Sequence, residues 1–135
     1  TQREKVEDII PDKKELKNIL IIDDDDTIRE LTQDMLSLLG YKSTASPDLN
    51  DGIEKIKEMI STTNRIDAVI LDLHLREAYN PTEVLKRMKS IDPEIKVIIC
   101  SGSPQDPFLK NFTSYGFDAA LAKPYNLATL KNVLK

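Results

Sequence analysis

The chain has one cysteine, Cys100, one histidine, His74, and no apolar run approaching the ~18–20 residues needed to cross a bilayer. A single cysteine excludes an intramolecular disulfide and any multi-cysteine zinc site, and a single histidine excludes a histidine metal cluster. A Ser-His-Asp triad could be built only around His74. No block of lysine and arginine is long enough to form a nucleic-acid patch, so neither nucleic acid nor direct membrane contact is expected. No signal peptide is recognisable, and the expected location is cytoplasmic. Internal repeats and low-complexity tracts are also missing. What is there is ordinary: 135 residues, 40% hydrophobic and 31% charged, the composition of a globular domain with one core. Nineteen basic against 23 acidic residues leave a net charge of −4, and part of that excess sits in four consecutive aspartates, Asp23 to Asp26.

The first 17 residues are dense in charge, with Arg3, Lys5, Lys13, Lys14 and Lys17 set against Glu4, Glu7, Asp8, Asp12 and Glu15, and they contain Pro11. They read as a linker or tail, with a domain over residues 18–135. A start at Thr1 after such a segment suggests a piece of a longer protein. Beyond it, short apolar runs alternate with helical periodicity. The runs are Ile19-Leu20-Ile21-Ile22, a weaker Tyr41-Lys42-Ser43-Thr44-Ala45, Ala68-Val69-Ile70-Leu71, Val97-Ile98-Ile99-Cys100 and Ala119-Ala120-Leu121-Ala122. Most suit strands of a parallel sheet covered on both faces. Between them lie helical stripes: Ile28, Leu31, Met35 and Leu38; Ile53, Ile56 and Ile60; Val84, Leu85, Met88 and Ile91; Phe108, Phe112 and Tyr115; Leu127, Leu130 and Leu134. Asn80-Pro81-Thr82-Glu83 and Asp106-Pro107 read as helix starts, and Gly40 as a helix end. Right-handed crossovers turn five β–α units into a doubly wound α/β three-layer sandwich on a five-stranded parallel sheet.

In such sheets the ligand site lies beyond the carboxyl ends of the strands. Here those ends carry Asp23-Asp24, Asp72, Ser101 and Lys123. Three carboxylates brought together repel one another unless a cation is present. Magnesium prefers oxygen ligands and keeps several waters, so it suits such a group. A carboxylate beside magnesium can be a nucleophile toward a phosphoryl group, with Lys123 and the Ser101 hydroxyl on the phosphoryl oxygens. Cys100 reads as a small core residue and the aromatic stripe as core.

The ordered set Ile19-Leu20-Ile21-Ile22-Asp23-Asp24, Val69-Ile70-Leu71-Asp72, Val97-Ile98-Ile99-Cys100-Ser101-Gly102 and Ala122-Lys123-Pro124-Tyr125 resembles the response-regulator receiver domain. The resemblance implies a flavodoxin-like sheet of order 2-1-3-4-5. It implies Asp72 as the acceptor of a phosphoryl group from a phosphohistidine of a sensor histidine kinase or histidine phosphotransfer domain. It implies magnesium, with manganese as a substitute, on Asp23, Asp24, Asp72 and the backbone carbonyl of His74. Ser101 and Lys123 then contact the phosphoryl group, while His74 and Ser103 occupy positions that tune its lifetime. Such a domain is a signalling phosphoacceptor rather than an enzyme, and a homodimer is compatible with it. The stretch from Ser101 to Ser103, with Asp106-Pro107, Asn111-Phe112, Tyr115-Gly116-Phe117 and Lys-Pro-Tyr, is similar to receivers of hybrid sensor histidine kinases, whose parent protein can be membrane-attached.

The chain departs from the family pattern at two places. Arg76 stands where the family has proline, in a loop without glycine, and Ala120 stands where it has an aromatic residue. These departures keep a phosphorylation-independent pseudo-receiver as one alternative. A second is a haloacid-dehalogenase-like phosphatase using Asp23 as nucleophile, on the strength of Asp23-x-Asp25-x-Thr27. Residues 124–135 contain none of the acidic metal ligands that this reading needs.

Overall fold

The computed structural model describes residues 16–135, so the expected linker lies outside the described residues except for Leu16 and Lys17. Five strands form one parallel sheet in the order β2-β1-β3-β4-β5: β1 (Asn18–Ile22), β2 (Lys42–Ser46), β3 (Ala68–Asp72), β4 (Lys96–Ser101) and β5 (Ala119–Ala122). The helices between and after them are α1 (Asp26–Leu38), α2 (Leu49–Met59), α3 (Pro81–Ile91), α4 (Pro107–Lys110) and α5 (Leu127–Val133). Both expectations, the doubly wound architecture and the strand order 2-1-3-4-5, agree with the structure.

Because strand side chains alternate in direction, the β-branched runs feed two cores at once. Leu20, Ile22, Val69, Leu71, Val97 and Ile99 face Ile53 and Ile56 of α2 and Leu85 and Met88 of α3. Ile19, Ile21, Ile70, Ile98 and Cys100 face Leu36 of α1 and Leu130 of α5. At Gly52 in α2 the helix comes so close to β1 that an added Cβ would stand 2.5 Å from Ile22 Cδ1. Glycine is required there by close approach.

The caps at Asn80 and Gly40 are those read from the sequence. Asp25 accepts from the amides of Thr27 and Ile28, and Asn80 from those of Thr82 and Glu83 with Pro81 behind it. Gly40, at φ 91°, ends α1 in a Schellman turn, with Tyr41 N donating to Leu36 O at 2.9 Å and Gly40 N to Ser37 O at 3.0 Å.

Two helical expectations need correction. The buried stripe of α1 is not Ile28-Leu31-Met35-Leu38: Leu31 and Leu38 are 55% and 78% exposed, and Thr32 and Leu36 are buried. The helix is rotated because Thr32 can be buried at little cost, its hydroxyl bonded to the Tyr125 phenol at 2.7 Å. The stripe Phe108-Phe112-Tyr115 does not lie on one helix. α4 is a single turn ending at Lys110, and the chain continues through turns to Gly116 at φ 95°. Phe108 and Phe112 still pack on the core, while Tyr115 is 39% exposed with its ring centroid 4.5 Å from that of Phe108.

Candidate functional site

The strand order reverses between β1 and β3, and the residues that end these two strands meet there. Asp23 and Asp72 are both buried, and Lys123 bridges them: its Nζ donates to Asp23 Oδ2 at 2.8 Å and to Asp72 Oδ2 at 3.1 Å. Burial pulls the Lys123 ammonium toward its neutral form, but the hydrogen bonds to Asp23 and Asp72 outweigh it and hold the pKa above that of an ordinary lysine. Lys123 is set in place by its own backbone, whose N–H donates to Ser101 O at 2.8 Å, and a cis Lys123–Pro124 peptide follows it.

The rest of each carboxylate is held by local turns. Asp25 N donates to Asp23 Oδ1 at 2.9 Å, and His74 N to Asp72 Oδ1 at 3.0 Å. Arg29 on α1 reaches back to Asp23 O at 2.6 Å. Asp24 is oriented elsewhere: its Oδ2 accepts from Arg76 N at 2.9 Å, with the Arg76 guanidinium Nε at 3.7 Å. It therefore borders the cluster and ties β1 to the loop after β3.

Ser101, fully buried, forms a second group with His74. The imidazole Nε2 is 3.1 Å from Ser101 Oγ and 3.2 Å from Asp106 Oδ2. Both neighbours contact the same ring nitrogen, so this is no Ser-His-Asp triad, which needs the serine and the carboxylate on opposite nitrogens. Ser103 meets the site through its backbone, its N–H donating to Ser101 Oγ at 3.0 Å.

Two contributors, Tyr79 and Asp106, were not visible in the sequence. Tyr79, partly buried against the core, donates its phenol to the backbone carbonyl of Asp72 at 2.5 Å. Burial, followed by the charge of Asp72, raises its pKa well above the usual phenol value. An aromatic residue in the loop between β3 and α3 was the available signal. Asp106 was read only as a helix start, a role it also fills by accepting from Phe108 N at 3.0 Å. Cys100 lies in the core as expected, yet its Sγ and the nearest oxygens of Asp23 and Asp72 fall within 4.8 Å of one another. Burial drives its thiol pKa far up, so it stays protonated and offers a hard cation nothing. Two buried carboxylates with Asp24 alongside are an oxygen donor set, and that set fits magnesium.

The sequence pattern of the response regulator receiver domain matches residues 19–135. The chain belongs to this family. It is 29% identical over 119 residues to sporulation initiation phosphotransferase F of Bacillus subtilis, covering 88% of this chain and 91% of that protein. It is 27% identical over 117 residues to the sensor kinase CckA of Brucella abortus, covering 87% of this chain but only 12% of the kinase. A solved response regulator receiver domain protein from Clostridium thermocellum matches with a TM-score of 0.76 at 26% identity, over 88% of this chain and 91% of the other. The receiver domain of a Pseudomonas aeruginosa sensor histidine kinase, solved with magnesium coordinated in its active-site cleft, shares the fold. Its TM-score is 0.71 at 21% identity, over 87% and 93% of the two chains. This receiver is thus a two-component signalling domain, and neither alternative reading is favoured. Asp25, the second carboxylate of the phosphatase pattern, is an exposed helix cap. Among the described residues no helix is long and apolar enough to cross a membrane.

Proposed function

We propose that Asp72 of this receiver takes a phosphoryl group from a phosphohistidine on a sensor histidine kinase or histidine phosphotransfer domain. The observation that carries the reading is the Lys123 ammonium seated between Asp23 Oδ2 and Asp72 Oδ2 at the carboxyl edge of the sheet. An Asp72 carboxylate oxygen attacks phosphorus, forming a P–O bond as the P–N bond breaks, and the electron pair of that bond stays with the donor imidazole. Lys123 and the Ser101 hydroxyl receive the charge that develops on the phosphoryl oxygens.

Asp23, Asp24, Asp72 and the backbone carbonyl of His74 would hold magnesium. When bound it supplies charge neutralisation on the phosphoryl oxygens. Lys123 keeps Asp23 and Asp72 close together, and the amides of Asp25 and His74 fix the free carboxylate oxygens. His74 and Ser103, both beside Ser101, are placed to tune how long the product lasts. A larger kinase as parent protein agrees with the similarity to CckA, of which this chain spans a small part.

The test is incubation with acetyl phosphate or phosphoramidate and magnesium, followed by intact mass. One added phosphoryl group that disappears in Asp72→Asn is the expected result. No gain, or a gain that survives the substitution, would overturn the reading. In parallel, Asp23→Asn should weaken magnesium binding, and an unchanged affinity would move the metal elsewhere.

A further inference from the structure

The β3–α3 loop and the β4–α4 loop meet through one imidazole, and the way this imidazole is held goes beyond the phosphoacceptor role itself. His74 is an exposed ring, its side chain 59% accessible, and among the described residues it has two polar contacts, Ser101 Oγ and Asp106 Oδ2. Asp106 is the opposite: its side chain is 12% accessible, and both its carboxylate and its backbone are bonded. Its Oδ1 accepts from Phe108 N at 3.0 Å, and its own N–H donates to Ser103 O at 3.1 Å. A rigid carboxylate therefore holds a ring that nothing else restrains except Ser101.

A carboxylate can only accept, so the hydrogen of the neutral ring belongs on Nε2, where it is shared between Asp106 and Ser101. Ser101 Oγ then accepts from His74 and from Ser103 N, and among the described residues its own hydrogen has only Ser103 O at 3.4 Å as a partner. That distance is too long for a good hydroxyl bond. The Ser101 hydrogen is thus left for a phosphoryl oxygen, and the imidazole Nε2 lies 3.1 Å from the oxygen that carries it.

We propose that Asp106 is a positioning residue that acts through His74 to lengthen the life of the phosphoryl group on Asp72. The inference rests on the phosphoacceptor reading above. In the hydrolysis it opposes, water attacks phosphorus and the P–O bond to Asp72 breaks. The carboxylate is restored, and both water protons leave with the phosphate. A ring pinned beside Ser101 occupies space that an attacking water needs; a free ring vacates it.

The test uses Asp106→Ser, which keeps a helix-capping oxygen but is too short to reach the imidazole. Because His74 is the only histidine in the chain, carbon-13 relaxation at its Cε1 reads ring motion without overlap. The ring should be restrained in the wild type and mobile in the variant, and equal mobility in both would overturn the positioning role. Acetyl phosphate loading, removal of the donor and timed intact mass then give the phosphoryl half-life. Asp106→Ser should shorten it roughly threefold or more, the effect of losing one modest hydrogen bond. His74→Ala should shorten it similarly, and the double variant should match His74→Ala. An unchanged or longer half-life in Asp106→Ser, or a double variant faster than His74→Ala, would refute action through the ring. A wild type that gains no phosphoryl mass while its ring behaves as expected defeats the phosphoacceptor reading, and the lifetime role falls with it.

Discussion

Replacing Lys123 with methionine keeps most of the side-chain volume and removes the ammonium seated between Asp23 and Asp72. The two acceptors are almost wholly buried, with side chains 2% and 4% accessible, and the donor distances are 2.8 and 3.1 Å. At an effective dielectric near 20, the two contacts amount to about 5–6 kcal/mol of attraction each before desolvation is subtracted. Removing one partner of a buried ion pair typically costs ~3–5 kcal/mol, because the other charge stays buried. The Lys123 side chain is 17% accessible, so water reaches the edge of the cleft and the lower end, about 3 kcal/mol, applies here. For a domain of this size that corresponds to a fall in Tm of roughly 12 °C.

Thermal unfolding followed by circular dichroism, in EDTA and then in saturating magnesium, reads both the lost ion pair and the competition with the metal. Magnesium at a hundred times its Kd adds about 2.7 kcal/mol to any state that binds it. In the wild type the ion must compete with the ammonium for the same oxygens, so Lys123→Met should gain more from magnesium than the wild type does. A Tm within roughly 3 °C of wild type in EDTA would refute the stability estimate. Equal gains from magnesium in the two proteins would show that lysine and metal do not share the carboxylates.

Gly52→Ala should destabilise by about 1–2 kcal/mol in urea unfolding, although alanine is the better helix former. The new Cβ meets the fully buried Ile22 side chain at 2.5 and 2.9 Å, and overpacking outweighs the gain in propensity; a stabilised variant would contradict this. Tyr79→Phe should cost ~1–2 kcal/mol by leaving the Asp72 carbonyl without its phenol donor, and a neutral effect on the urea midpoint would mean that water replaces it fully. Stability should fall at alkaline pH. Burial raises the Tyr125 phenol to about 12, so the folded state keeps a proton that the unfolded state releases above its ordinary value of 10.0. That contribution is complete below the lower value and is lost between the two, up to about 2–3 kcal/mol. Lys123, also raised, adds in the same direction above 10.5. Urea midpoints that stay flat from neutral pH to about 12 would contradict the assignment.

The sheet was legible because β-branched runs buried on both faces leave few other arrangements, and because crossover handedness then fixes the layers. The site followed from the same logic: once the strands are parallel, Asp23, Asp72, Ser101 and Lys123 must share an edge. What the residue pattern could not reveal was rotation and side-chain choice. A polar Thr32 was invisible as a core residue because its partner, Tyr125, lies 93 positions away. Phe108, Phe112 and Tyr115 have helical spacing, yet Asn111, at φ −117° and ψ 35°, leaves the helix, and the turns beyond it still bring the Tyr115 ring against Phe108. The orientation of Asp24 depended on Arg76 N, a backbone donor that no side-chain pattern encodes. Of the four consecutive aspartates, Asp23 faces Lys123, Asp24 faces Arg76, Asp25 caps α1 and Asp26 pairs with Arg29 in its first turn.

Ala120 shows how this site must be connected to the rest of the fold. A methyl group has no rotamer to switch, so β5 cannot pass on a change at Lys123 through a side chain at that position. Ala120 belongs to the core that also holds Phe108, Phe112 and Phe117, where Phe108 stands edge-on to Phe117 at 6.5 Å. Arg29 ties Asp23 to α1, and the contacts that lead from Asp72, Asp24 and Ser101 run through the loop after β3. Tyr79 holds the Asp72 carbonyl, Arg76 holds Asp24, and His74 joins Ser101 to Asp106. That loop ends at Asn80, the cap of α3, and Asp106 is the cap of α4. A rearrangement at Asp72 therefore acts first on the starts of these two helices, and Arg76 belongs to that connection because its amide, which a proline would lack, is the donor to Asp24.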